Sequence, residues 1–141
     1  MIEIELNIPL PPKETWEMLT QPAHMHNWWG PNIIFERQRK GRFIEKWKDD
    51  KGQEKTTRGT VTALEDFHRL QMDWQDEGWP QNTRVEFLLF PAANDCTDLQ
   101  LQHSGWGMFS DAQRKKIFDD YHAEWTKLLN SFAAYCKKQK S

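Results

Sequence analysis

Ile2, Ile4, Leu6 and Ile8 alternate with polar residues, the two-residue period of a strand with one buried face, and Pro9, Pro11 and Pro12 end it. A helix is predicted next. Pro12 suits a first helical turn, Glu14 and Glu17 lie where acidic side chains complement the helix dipole, and Trp16 with Leu19 forms an apolar i, i+3 pair. A second short helix is predicted from Pro22 to about Trp28, closed by Gly30-Pro31.

Six further strand-like segments follow: Asn32 to Arg37, Arg42 to Lys48, Lys55 to Leu64, Arg69 to Trp74, Thr83 to Phe90 and Thr97 to His103. Turn residues such as Lys40-Gly41, Asp49-Asp50-Lys51-Gly52 and Asn94-Asp95 separate them. The connections are too short for parallel crossovers, so an antiparallel meander is predicted. Alternation places Leu70, Met72 and Trp74 on one face, as it does Val85, Phe87 and Leu89, and Leu99, Leu101 and His103.

The last segment opens with Ser110 and Gln113 in capping-box spacing and runs without Gly or Pro into Lys137-Lys138-Gln139-Lys140, a basic end that suits a helix C-terminus. Phe118, Tyr121, Trp125, Leu128, Phe132 and Tyr135 recur at three- and four-residue steps as one apolar stripe. A helix of roughly 27 residues is about 40 Å long, enough to cross a sheet. The pattern therefore predicts an α+β helix-grip fold: an antiparallel sheet of seven strands around a long C-terminal helix, with two short helices after the first strand. At 141 residues, with no internal repeat or linker, residues 1–141 are expected to form one domain.

Composition redirects attention to the rings. Only 38% of residues are hydrophobic, yet 8 Trp, 8 Phe and 2 Tyr are present, and each ring buries about 150 to 250 Å². The formal charge of -2 gives no global field toward nucleic acid or an anionic membrane. Arg114-Lys115-Lys116 and the Lys-rich tail are too small for a nucleic-acid face. No signal peptide or membrane span is read. Cys96 and Cys136 lack the spacing of a zinc site or a redox motif, so two free thiols in a reducing cytoplasm are expected.

Several stretches carry a family resemblance: Trp28-Trp29-Gly30-Pro31, Gly41-Arg42-Phe43, Gly59-Thr60-Val61, Arg69-Leu70-Gln71-Met72-Asp73-Trp74 and His103-Ser104-Gly105-Trp106. So does the C-terminal run Glu124-Trp125-Thr126-Lys127-Leu128-Leu129 leading to Phe132-Ala133-Ala134-Tyr135. In order and spacing they resemble the activator of heat-shock protein 90 ATPase homologue family of the START-like (SRPBCC) superfamily. The departure is Glu124, where the family more often has Gly. The resemblance implies the helix-grip sheet, commonly with a cavity beneath the helix, and a possible link to chaperones and stress response. The superfamily includes lipid and hormone binders, cyclases and a co-chaperone domain, so fold alone does not choose a function.

The candidate ligand-binding residues are Trp47, Met72, Trp74, Phe87, Leu101, His103, Tyr121, Trp125 and Leu128, an aromatic and apolar set of the kind that walls small-molecule sites. The alternative is that these side chains pack solidly on one another. His103 is the sharpest polar candidate, and Glu45, between Phe43 and Trp47 on one face, is its candidate partner as ligand anchor or acid/base pair. The alternatives are a satisfied core histidine and a solvent-facing glutamate. Trp28, Trp29 and Trp79 could form a partner patch, a lid over the pocket, or plugs at the sheet ends.

His24 and His26, two apart on a helix, do not share a face and are not read as metal ligands. Ser104 is not in a nucleophile elbow. The expected function is non-enzymatic binding of a small, largely apolar molecule, with no catalytic residue, metal or cofactor assigned. The alternatives are a co-chaperone-like module that stimulates a partner ATPase, with a chaperone or other protein as partner, and a cyclase- or dehydratase-type enzyme using Glu45 and His103.

Overall fold

The computed structural model describes residues 1–140. Strand β1 (Ile2–Ile8) is followed by helices α1 (Pro12–Thr20) and α2 (Pro22–Trp28). Then come β2 (Ile33–Phe35), β3 (Arg42–Lys48), β4 (Glu54–Glu65), β5 (Arg69–Asp76), β6 (Thr83–Ala92), β7 (Cys96–Ser104) and helix α3 (Asp111–Gln139). The strands form one seven-stranded sheet in the order β1-β7-β6-β5-β4-β3-β2, with every pairing antiparallel. This is the helix-grip arrangement that the hydrophobic pattern predicts.

The register explains the pattern. Val85 pairs with His103 and Phe87 with Leu101, while Met72 pairs with Val85 and Leu70 with Phe87, so the inward residues of β5, β6 and β7 form a continuous buried surface. Its alternation is interrupted in β4 between Val61 and Ala63, where a bulge shifts the register against Met72 and Gln71. The β2–β3 turn needs a residue without a side chain at Gly41, where a Cβ would press on the Glu36 carbonyl oxygen and lie 2.8 Å from that of Gln38. Gly59 faces Trp74 across the β4–β5 pair, and a Cβ there would come within 2.6 Å of the Asp73 carbonyl oxygen.

Helix α3 begins as its sequence predicts. Ser110 accepts from the Gln113 backbone N–H, and the Gln113 side chain accepts from the Ser110 N–H, which together complete a capping box. Its buried stripe is Trp125, Leu129, Phe132 and Cys136. The predicted stripe is therefore corrected in part: Phe118, Tyr121, Leu128 and Tyr135 are only partly buried and flank the core. At 3.6 residues per turn, Leu129 and Cys136 continue the line of Trp125 and Phe132, whereas Tyr121 and Leu128 fall to one side. That side faces an opening between helix and sheet.

Candidate functional site

The opening is a cavity of about 700 Å³ at one end of the grip. Its floor comes from β3 to β5 through Glu45, Trp47, Thr57, Trp74 and Asp76. Trp28 and Trp29 close it from the end of α2, Lys48 at the end of β3 and Asp49 and Asp50 of the β3–β4 turn contribute, and Trp79 stands in the β5–β6 turn. Helix α3 supplies the remaining wall, with Tyr121, Glu124, Trp125 and Leu128 along it.

A polar chain runs through this wall. Trp47 donates its indole N–H to Thr57 Oγ1 at 2.9 Å, and Thr57 donates its hydroxyl to Asp76 Oδ1 at 2.6 Å. Tyr121 donates to the same Asp76 oxygen and accepts the Trp74 indole N–H at 3.0 Å. Burial raises the Asp76 carboxyl above the ordinary aspartate range, against the lowering effect of its two hydroxyl donors. The Tyr121 phenol is raised well above its usual value, first by burial and then by the charge of Asp76.

Glu45 is the other interior carboxyl. Its Oε2 accepts from the Trp29 indole at 3.3 Å. Burial pushes its pKa up to about 7, and the nearby negative charges of Asp76 and Glu124 add to the rise.

His103 sits apart from the cavity and is fully buried. Its Nδ1 accepts the Trp125 indole N–H at 3.0 Å. An indole nitrogen only donates, so the ring proton is on Nε2 and is donated to Thr83 Oγ1, 2.7 Å away. Thr83 in turn donates to the Trp74 carbonyl at 2.7 Å. Both ring nitrogens are thus engaged, and burial, helped by the N-terminal charge, lowers the pKa to about 3. His103 is a neutral core group that braces Trp125 from behind.

Of the nine candidate ligand-binding residues, the structure brings Trp47, Trp74, Tyr121, Trp125 and Leu128 together around the cavity. Met72, Phe87, Leu101 and His103 are instead fully covered in the solid core; Phe87, for instance, packs edge-on against Trp125 with ring centroids 5.9 Å apart. Alternation reports which face of a strand is inward, but not where along that face the helix lifts away from the sheet. Glu45 lines the cavity while His103 does not, so the candidate acid/base pair does not converge. His24 and His26 bond to Tyr135 and to the Ile33 carbonyl respectively, and among the described residues no set of three or more His, Cys, Asp or Glu side chains is placed to hold a metal.

The sequence matches the family described as Activator of Hsp90 ATPase homolog 1-like protein over residues 9–137. The chain belongs to this family. Its fold recurs in protein MLL2253 from Mesorhizobium loti, with 22% identity, a TM-score of 0.78, and coverage of 99% of this chain and 98% of that one. It recurs in the Aha1 dimer from Colwellia psychrerythraea, with 20% identity, a TM-score of 0.71 and 100% coverage of both chains. CalU16 from Micromonospora echinospora is similar at 21% identity and a TM-score of 0.73, over 95% of this chain and 74% of that one. No curated protein matches the chain. Family membership accounts for the grip; the charged cavity wall has to be read from this chain's own side chains.

Sequence reasoning missed Asp76, Thr57 and Glu124 as cavity residues. Asp76 was within reach: it is the next inward position after Leu70, Met72 and Trp74 on a strand that continues two residues past the predicted end. Glu124 lies three residues from Tyr121 and four from Leu128, on the same helix face. Trp28, Trp29 and Trp79, which the sequence left open between patch, lid and plug, all contribute to the cavity wall.

Proposed function

We propose that the protein is a non-enzymatic binder that takes a small, largely apolar molecule into the cavity between sheet and α3. The observation that carries this reading is the cavity itself. Its volume of about 700 Å³ falls in the usual range for small-molecule sites, roughly 300 to 1,000 Å³. Aromatic side chains make much of its wall, and Glu45 and Asp76 offer polar atoms that could orient a guest. His103 is not part of the binding set in this reading; it holds Trp125 in place. The function needs no cofactor.

Among the described residues no helix is long and apolar enough to cross a membrane. Both cysteines are free, and burial pushes the Cys136 thiol up to about 12. A reducing, cytoplasmic setting suits such a carrier.

Native mass spectrometry of freshly purified protein tests the proposal, together with titration of an apolar dye that quenches tryptophan fluorescence. A retained small molecule, or saturable dye binding that a Leu128→Trp substitution abolishes, is expected. Absence of both a retained mass and saturable dye binding would sink the carrier reading. The family description and the Aha1 relative favour a second reading, a module that stimulates the ATPase of a chaperone partner. It would show as partner-dependent ATPase stimulation that survives blocking of the cavity.

A further inference from the structure

Six of the chain's eight tryptophans line the cavity. Five of their six indole N–H groups already donate to acceptors within the protein. Trp28 donates to the Met18 carbonyl, Trp29 to Glu45, Trp47 to Thr57, Trp74 to Tyr121 and Trp125 to His103. Of the hydroxyl residues of the wall, Thr57 and Tyr121 donate to Asp76 and Ser131 donates to the Trp28 carbonyl. Trp29, Trp47 and Trp79 keep part of their ring surface open to a guest, whereas Trp28, Trp74 and Trp125 are covered by their neighbours and most of the neutral hydrogen-bond donors are engaged.

The acceptors show the opposite pattern. Both hydrogen bonds to Asp76 fall on Oδ1 and the bond to Glu45 falls on Oε2, leaving Asp76 Oδ2 and Glu45 Oε1 without a donor among the described residues. Charge is biased in the same direction. The whole chain is nearly balanced, with 21 acidic and 19 basic side chains, yet the cavity wall has six carboxylates against two lysines. Glu45 faces Asp76 from β5 and Glu124 from α3, with Asp49 and Asp50 at the β3–β4 turn and Asp120 on α3. Lys48 and Lys127 in the wall are the opposing charges, together with Lys116, which pairs with Asp120 at 2.9 Å from one turn earlier on α3.

Aromatic rings attract cations through their quadrupole, most strongly when the cation is desolvated. A cavity that offers rings and unpaired carboxylate oxygens, but few donors, matches a positive guest and repels an anion. The carboxylates are spread over separate walls rather than gathered as a metal-ligand set, which suits the diffuse charge of an organic ammonium. We infer that the cavity selects organic cations, an amine or quaternary ammonium group on an apolar body. The inference rests on the carrier reading and narrows its ligand. A positive guest would also relieve Glu45, whose own charge is disfavoured there near neutral pH.

Three probes of one shape test it: benzyltrimethylammonium, its uncharged isostere neopentylbenzene, and phenylmethanesulfonate as the anion. Binding is followed by the indole N–H signals of the cavity tryptophans in NMR titrations. The cation is expected to bind roughly tenfold or more tighter than the neutral isostere, with the anion weakest. Its affinity should rise from about pH 6 to about pH 8, because binding drives a proton off Glu45. The Glu45→Gln/Asp76→Asn variant, verified as folded by its unfolding transition, should lose most of the cation's advantage and the pH dependence. Equal or tighter binding of the neutral isostere would overturn the cation inference and leave the carrier reading intact. An apolar dye that binds while none of the three probes does would likewise overturn only this inference. Failure of dye and probes together would remove both.

Discussion

Trp125 on α3 donates its indole N–H to Nδ1 of His103 on β7 at 3.0 Å, tying the long helix to the buried centre of the sheet through two side chains. It fixes the imidazole tautomer and, through Thr83, links the helix to the Trp74 carbonyl. The side chain that the sequence marks as a ligand anchor is a structural brace.

His103→Phe is expected to fold but to lose about 1 to 3 kcal/mol, because the buried Trp125 N–H and Thr83 hydroxyl lose a partner. The wild type should lose stability as pH falls from about 6.5 toward about 3, the window in which the unfolded chain binds a proton that the folded His103 refuses. The variant should lack that component. Urea unfolding of both proteins across this range checks it, and parallel acid profiles would contradict the assignment.

Leu101 and Leu128 separate solid core from cavity. Leu101 is fully buried away from the opening, so Leu101→Trp should overpack and cost about 1 to 3 kcal/mol or more. Leu128 lines the cavity, and Leu128→Trp should cost markedly less while excluding an apolar dye. Denaturant midpoints and dye titrations on the same preparations read both effects; equal destabilisation by the two substitutions would mean the cavity does not accept an indole.

Glu45 carries the opposite pH sign to His103. Its pKa rises from 4.5 to about 7 on folding, so the folded state holds the proton more tightly, and stability falls as pH rises through that window. Glu45→Gln should therefore match the wild type near pH 5 and exceed it by about 2 to 3 kcal/mol near pH 8. A stability difference that does not change with pH would show that the buried carboxyl is not the cause.

Gly41→Ala is expected to destabilise by about 1 to 3 kcal/mol or more. The added methyl would collide with the Glu36 carbonyl, which lies in the turn between β2 and β3. Thermal unfolding measures it, and a neutral result would mean that the turn yields readily.

The sheet was legible because strand alternation and short connections leave few arrangements, and the helix because its capping box marks its start. The cavity was legible only in part. Trp47, Trp74, Tyr121, Trp125 and Leu128 could be named from face and composition, but Met72, Phe87, Leu101 and His103 share the same periodicity and differ only in depth along the grip. Whether His103 met a guest or the Trp125 indole depended on a contact between β7 and α3, which neither segment encodes alone. Asp76 and Glu124 were overlooked because an acidic residue beside a turn or on a helix flank usually faces water.

The pairing of β1 with β7 carries a consequence for how the molecule assembles. Ile2 lies opposite His103 and Ile8 opposite Thr97, so the earliest-made strand of this sheet can join it only after all six others have been made. The hairpins from β2 to β7 can zip locally in the meantime, but β1 must wait for a long loop to close. Until then its apolar face has no cover. Completion of the sheet, rather than formation of any one hairpin, is expected to limit the rate at which α3 finds its seat.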